Sequence, residues 1–409
     1  MNRYSWVVVM LCGAAIVAIS MGIRQAFGIF LRPVSSDLGI GRDLFSLAFA
    51  IQNLCFGLAL PFIGMLVDRV AVRSIIVLGS LLYAAGLLLT PVLLGAAGLI
   101  FTIGIVIGLA QGATSFVVVF GPLARVVPAA QRSLVFGIVT AGGSLGMFVF
   151  VPLAQALLAM MDWRGAFAVM AALAASMAVL ALGMGGPRML AAHTTTATEQ
   201  LSLAATLQQA QCHSGYLLLN AGFFVCGFHV AFITAHLPAY LTDYNLSPTV
   251  AANALALIGL ANVVGSYAFG ALGGRYRKKQ VLTWLYAARA VTFAVFLLVP
   301  LTSTSALLFG VAIGLLWLGT VPLTSGLIAQ IFGTRYLSTL YGIVFLSHQV
   351  GAFLGAWLGG VAYDRTGSYT NVWLAAILLS LTAAVLHWLI RDEPLTATPR
   401  PAMRASTDA

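Results

Sequence analysis

Apolar runs of about twenty residues, set apart by short polar breaks, recur from one end of the chain to the other. That length fits a helix crossing the hydrocarbon core, whereas membrane strands would alternate over about ten residues. The pattern predicts twelve spans, at 6–32, 43–67, 73–95, 98–123, 133–158, 164–185, 214–239, 249–273, 281–300, 305–328, 339–362 and 370–390. The longest polar interruption before the tail, "GGPRMLAAHTTTATEQLSLAATLQQAQCHS", lies between the sixth and seventh spans. It divides the chain into a six-helix bundle at 1–186, a linker at 187–213 and a second bundle at 214–392. A Pro- and Ser/Thr-containing tail at 393–409 is expected to be disordered. The fold class expected is an all-α membrane protein. No small-residue cleavage site follows the first run, so it is expected to stay as a helix.

Composition supports the bilayer as solvent. Of 409 residues, 61% are hydrophobic and 7% charged, with a mean hydropathy of +1.02, where soluble domains carry about 25% charged residues. The net charge of +10 does not point to nucleic acid, because the basic residues sit in short inter-helix loops with no aromatic interleaving. Fourteen of the twenty Lys and Arg fall on the side of both termini and four on the other. By the positive-inside rule the termini are cytoplasmic, in a multi-pass protein of the plasma (inner) membrane. The four cysteines form no CxxC pair and no zinc spacing with histidine. No hydrolytic triad is present either. The reading is a non-enzyme with no metal or cofactor, expected to act as a monomer.

A shift of 205 or 206 residues brings the two halves into register. "GIRQAFGIFLRP" (22–33) overlays "GFHVAFITAHLP" (227–238), "GMLVDRVAVR" (64–73) overlays "GALGGRYRKK" (270–279), and "FGIV" (136–139) overlays "YGIV" (341–344). Three coincidences at one offset indicate a duplicated six-helix unit. Transporters built from such halves hold substrate between them near the midplane. The stretch "GMLVDRVAVR" resembles the signature loop of the major facilitator superfamily, with Gly64, Leu66, Asp68, Arg69 and Arg73 matching and Ala71 in place of a glycine. The resemblance runs from the first span to the twelfth. It implies twelve helices in two pseudo-symmetric bundles, alternating access, and a gating role for Gly64, Asp68, Arg69 and Arg73. The alternative for Asp68 and the arginines is that they only mark topology.

The ten acidic residues all fall in loops, at span ends or in the tails. The spans hold Arg24, Arg289, His229, His236 and His348 instead. Positive charge in low dielectric without acidic partners leaves an uncompensated field that a bound anion would satisfy. Arg24 and His229 occupy equivalent positions of the repeat and are expected to face each other across the central cavity, with snorkelling the alternative for Arg24. His348, near mid-depth, is the next candidate. Substrate binding is assigned to Arg24, His229, His348, Arg289, Gln52, Asn53, Gln111 and Gln349, with Asn262 as a further donor, and proton coupling to His229, His348 or His236. For Arg289 and the amides, interhelical bonding is the alternative.

Within the superfamily the chain looks most like the prokaryotic branch related to monocarboxylate and oxalate/formate carriers, from its acid-free cationic interior, compact size and short loops. The eighth helix, "ANVVGSYAFG", lacks the arginine typical of monocarboxylate carriers, which leaves Arg24 to supply the fixed charge. The expectation is a secondary transporter of a small organic anion, monocarboxylate-like, by proton-coupled symport. The alternatives are exchange of organic anions including phosphate esters, efflux of a drug or metabolite, and a transporter-like sensor.

Overall fold

The computed structural model describes residues 3–67, 70–127, 132–184, 203–333 and 336–394. Among the described residues, twelve helices are long and apolar enough to cross a membrane: α1 (Trp6–Leu38), α2 (Arg42–Val67), α3 (Val72–Leu89), α4 (Ala96–Phe120), α5 (Gly137–Met160), α6 (Trp163–Met184), α7 (Ser214–Asp243), α8 (Pro248–Arg275), α9 (Lys278–Leu298), α10 (Ser303–Phe332), α11 (Thr339–Thr366) and α12 (Thr370–Trp388). No strand occurs among the described residues, as expected where backbone groups must be satisfied without water. The linker contributes one short helix, Leu203–Cys212. With an even number of spans, the start of α1 and the end of α12 share one face, the proximal face, and the α1–α2, α7–α8 and α11–α12 turns lie on the opposite, distal face.

Packing follows the sequence repeat. In the first half α1 lies along α5, α3 along α6 and α2 along α4; in the second, α7 lies along α11, α9 along α12 and α8 along α10. Between halves, α2 packs on α11 and α5 on α8, again a pair related by the repeat. One close approach is duplicated: a Cβ on Gly146 would collide with the Ala18 carbonyl, and a Cβ on Gly351 with the Phe224 carbonyl. Side chains such as Leu78, Val179, Val291 and Leu378 are exposed around the perimeter, the surface that hydrocarbon would cover.

Among the described residues two helices break in mid-span, and they are repeat partners. In α4 a π-helical stretch, Ile100–Ile107, precedes the helix Gly108–Ala113, and the chain turns at Thr114 and Ser115 before resuming at Phe116. In α10 the helix Ser303–Leu315 stops and a second begins at Thr320. Each break is pinned by a matching bond: Ser20 Oγ to Thr114 Oγ1 at 2.7 Å, and Cys226 Sγ to Thr320 Oγ1 at 3.3 Å. Both residues of each pair are displaced by 206 between halves.

Candidate functional site

Arg24 projects from the middle of α1 and is 8% exposed. It does not snorkel. Its Nη2 donates to Asn53 Oδ1 on α2, and its guanidinium carbon lies 5.7 Å from the centroid of the Phe56 ring, one turn along α2. Nε has no partner. Asn53 is held in turn, its Nδ2 donating to the Phe49 carbonyl at 2.8 Å.

The second half meets this cluster through α11. Gln349 Nε2 donates to the Asn53 backbone carbonyl at 2.9 Å, and its Oε1 accepts from His348 Nδ1 at 3.0 Å. His348 is 6% exposed, stacks on Phe345 at 5.5 Å and 8°, and packs against Phe223 of α7 at 5.0 Å. Arg24, Asn53, Gln349 and His348 thus form one chain of contacts across the seam between halves. Among the described residues neither Arg24 nor Arg289 has a carboxylate within ion-pair distance; the ion pairs involve Asp37, Asp162, Asp243 and Asp392. An amide oxygen can accept a bond from a guanidinium but cannot cancel its charge, and an uncompensated buried charge costs several kcal/mol.

Other expected ligands are engaged elsewhere. His229 is turned away from Arg24: its Nε2 donates to the Ala376 carbonyl on α12 at 2.9 Å, and its ring packs on Phe293 of α9 at 5.1 Å. The expected face-to-face pair with Arg24 is therefore corrected. The equivalent position of the second half points into its own bundle, where the α12 carbonyl takes Nε2 and Nδ1 is buried without a partner. His236 bonds the Ala356 carbonyl at 2.7 Å and the Tyr369 hydroxyl at 3.2 Å, joining α7 to α11 and α12.

Arg289 sits at the α10 break. Its Nε and Nη2 donate to the Leu316 carbonyl at 3.1 and 2.7 Å, and Nη2 also to that of Trp317. These carbonyls end a helix inside the membrane, where no water would meet them and the helix dipole favours a cation. Asn262 serves the other side of the break, accepting from the Leu318 amide at 2.9 Å and donating to Ser144 of α5 at 2.8 Å. In this conformation Nε and Nη2 of Arg289 serve interhelical bonding, and its Nη1 is buried without a partner.

Gln111 donates to the Tyr83 hydroxyl at 3.2 Å, and Tyr83 to the Ser20 carbonyl at 3.3 Å, one turn from Arg24 on α1. Gln52 is fully buried with both amide atoms unpartnered, and Gln111 Oε1 is also free. Of the expected gate, Gly64 is half-buried near Val117, Arg73 is exposed, and Asp68 and Arg69 lie outside the described residues.

The distal face carries a lock that the sequence reading did not single out. Arg42 at the start of α2 binds Asp243 at the end of α7 in bidentate fashion, at 2.6 and 2.8 Å. It also donates to Tyr369 at 3.0 Å and lies 3.7 Å from the Tyr363 ring centroid. Beside it the Asp43 amide donates to Asp364 at 2.7 Å, and Arg32 stands 3.7 Å from Asp243. Arg42 and Asp243 each begin or end a span, and their meeting across halves has no signal in spacing. With these bonds made, the halves are tied together at the distal end.

The family model described as Major Facilitator Superfamily matches residues 10–324 and 219–408. An MFS-type transporter of Bacillus subtilis, YcxA, is 25% identical over 401 residues, covering 94% of this chain and 95% of the relative. Monocarboxylate transporter 13 of Rattus norvegicus is 28% identical over 374 residues, with 88% and 82% covered. Monocarboxylate transporter 12 of Homo sapiens is 24% identical, with 94% and 80% covered. Among solved structures, a bacterial homolog of the human lysosomal transporter Spinster, in an inward-facing and occupied conformation, superposes with a TM-score of 0.78 at 14% identity, covering 95% of this chain and 97% of that one.

Proposed function

Because the chain belongs to the major facilitator superfamily, we propose that it moves a small organic anion of the monocarboxylate type by alternating access, with proton-coupled symport as the coupling mode. The observation that carries the reading is Arg24: a guanidinium buried between the two halves, with one nitrogen unpartnered and an amide where a carboxylate would neutralise it. Relatives described as monocarboxylate transporters over most of the chain support the same substrate class.

In this reading Arg24 binds the carboxylate by charge-assisted hydrogen bonds, Asn53 orients the guanidinium, and Gln349 passes the state of the site to the second half. His348 takes the coupling proton, since it alone of the three candidate histidines is bonded into the contacts that join the halves. Its Nδ1 already serves Gln349, so Nε2 receives it. His229 and His236 are left to packing. Residues 1–186 and 214–392 rock as two bundles, joined by the linker at 187–213 and followed by the tail at 393–409. The conformation is closed at the distal, extracytoplasmic face by Arg42 and Asp243, with both termini cytoplasmic and the protein in the plasma membrane as a monomer.

The test is counterflow and net uptake in proteoliposomes with labelled lactate, oxalate, a phosphate ester and a hydrophobic cation, at two pH values. Carboxylate uptake stimulated by an inward proton gradient supports symport. Flux only against internal anion assigns exchange, and transport of the cation alone removes the anion reading. Arg24→Gln is expected to abolish carboxylate transport with near-normal protein yield; unchanged transport in that variant would refute the assignment.

A further inference from the structure

Resting on the anion reading, the same site carries information about the body of the substrate. Arg24 is accompanied by rings contributed from three helices and both halves. Phe56, under the guanidinium, meets Phe345 of α11 edge-on at 5.9 Å and 86°. Phe345 lies between His348, stacked at 5.5 Å, and Tyr341 at 6.4 Å. Phe223 of α7 closes the group, 5.0 Å from His348 and 6.1 Å from Tyr341.

Positions 341, 345 and 348 recur at i, i+4 and i+7, one face of α11. They run from near its proximal end toward its centre, so the rings form a track leading to the charge. Phe56 and Phe223 are buried, and Tyr341 and Phe345 are partly buried against them. The Phe56–Phe345 contact crosses the seam, so it must part when the halves rock.

A two- or three-carbon acid would engage Arg24 and leave this track untouched. A flat acid with its carboxylate on Arg24 would place its ring among Phe56, Phe345 and Tyr341, where offset or edge-on stacking adds to area burial. We infer that the site selects monocarboxylates with an aromatic or comparably flat apolar body over short aliphatic acids. Phe345 is the principal specificity-determining residue, with Phe56 and Tyr341 beside it.

The experiment is equilibrium binding of benzoate, phenylacetate, acetate and lactate to the full-length protein in lipid nanodiscs. The aromatic acids are expected to bind about tenfold or more tighter than acetate, the equivalent of one to two ring contacts. Phe345→Ala is expected to bring the aromatic-to-short ratio toward unity, and Phe345→Tyr to keep it. Because the ratio is taken within one protein preparation, a fall in folded fraction does not mimic it. Arg24-dependent binding of acetate and lactate with no aromatic advantage would overturn this inference and leave the anion reading standing. An aromatic advantage that survives Phe345→Ala would overturn it as well. Binding of neither class would remove the anion reading and this inference together.

Discussion

Arg24 and His229 stand at equivalent positions of a duplicated unit, yet the two side chains have opposite surroundings. Each keeps one buried nitrogen without a partner, but the guanidinium is bonded to Asn53, whose backbone carbonyl meets α11 of the other half, while the imidazole is bonded to a carbonyl of its own bundle. This difference separates two substitutions. His229→Ala removes the bond its Nε2 gives the Ala376 carbonyl, a net loss of about 0.5–1.5 kcal/mol; thermal unfolding should shift down while proton-stimulated flux persists. His348→Ala should instead remove the stimulation by a proton gradient, with anion binding still dependent on Arg24. Flux assays at two pH values, set beside melting curves, distinguish the outcomes; loss of proton stimulation in the His229 variant would reverse the assignment. What the sequence made legible is that a charge sits in the first span without an acidic partner in any span. It could not show which wall each residue faces, because a helical position fixes direction only once its neighbours are known.

At the scale of the helix, the twelve spans and their repeat were readable from apolar run length and a fixed offset, with boundaries off by a few residues. The breaks in α4 and α10 were not. Neither interrupts the hydrophobic run, so length and hydropathy pass over them, and only the donors that neighbouring helices aim at them reveal their presence. Arg289 looked like a ligand for that reason: a buried arginine in a span suits either an anion or a set of orphaned carbonyls. Arg289→Leu should destabilise the protein by about 3 kcal/mol, since the Leu316 and Trp317 carbonyls would face hydrocarbon unpaired. A lysine at that position should recover part of the loss. Melting temperature in lipid is the measurement. A variant as stable as the parent but unable to bind anion would return Arg289 to the substrate site.

For the whole molecule, the distal lock sets which face is shut. Arg42 and Asp243 belong to different halves and are both largely buried, at 13% and 17% side-chain exposure, so salt screens them less than a surface pair. Hydrogen bonds to a charged group contribute about 1.5–3 kcal/mol, roughly tenfold or more in the balance between closed and open. Asp243→Asn should therefore raise labelling of a cysteine placed on the distal side of α7, and exchange of the two residues, R42D with D243R, should lower it again. Unaltered labelling in the single variant would mean that the lock does not hold the halves. Nothing in the sequence separated Arg42 from other loop arginines, because its partner lies 201 residues away on the other bundle.

The contact between Arg24 and Asn53 bears on the return journey of an unloaded carrier. A symporter must reset empty, and a bare guanidinium at the seam would resist that passage through low dielectric. The Asn53 amide oxygen is a neutral partner that partly solvates the charge while no substrate is bound. Under the proposed symport, net uptake then needs no anion on the way back, whereas a carrier without such a partner would be held to one-for-one trade. The difference between net uptake and counterflow in the proteoliposome assay is its direct readout.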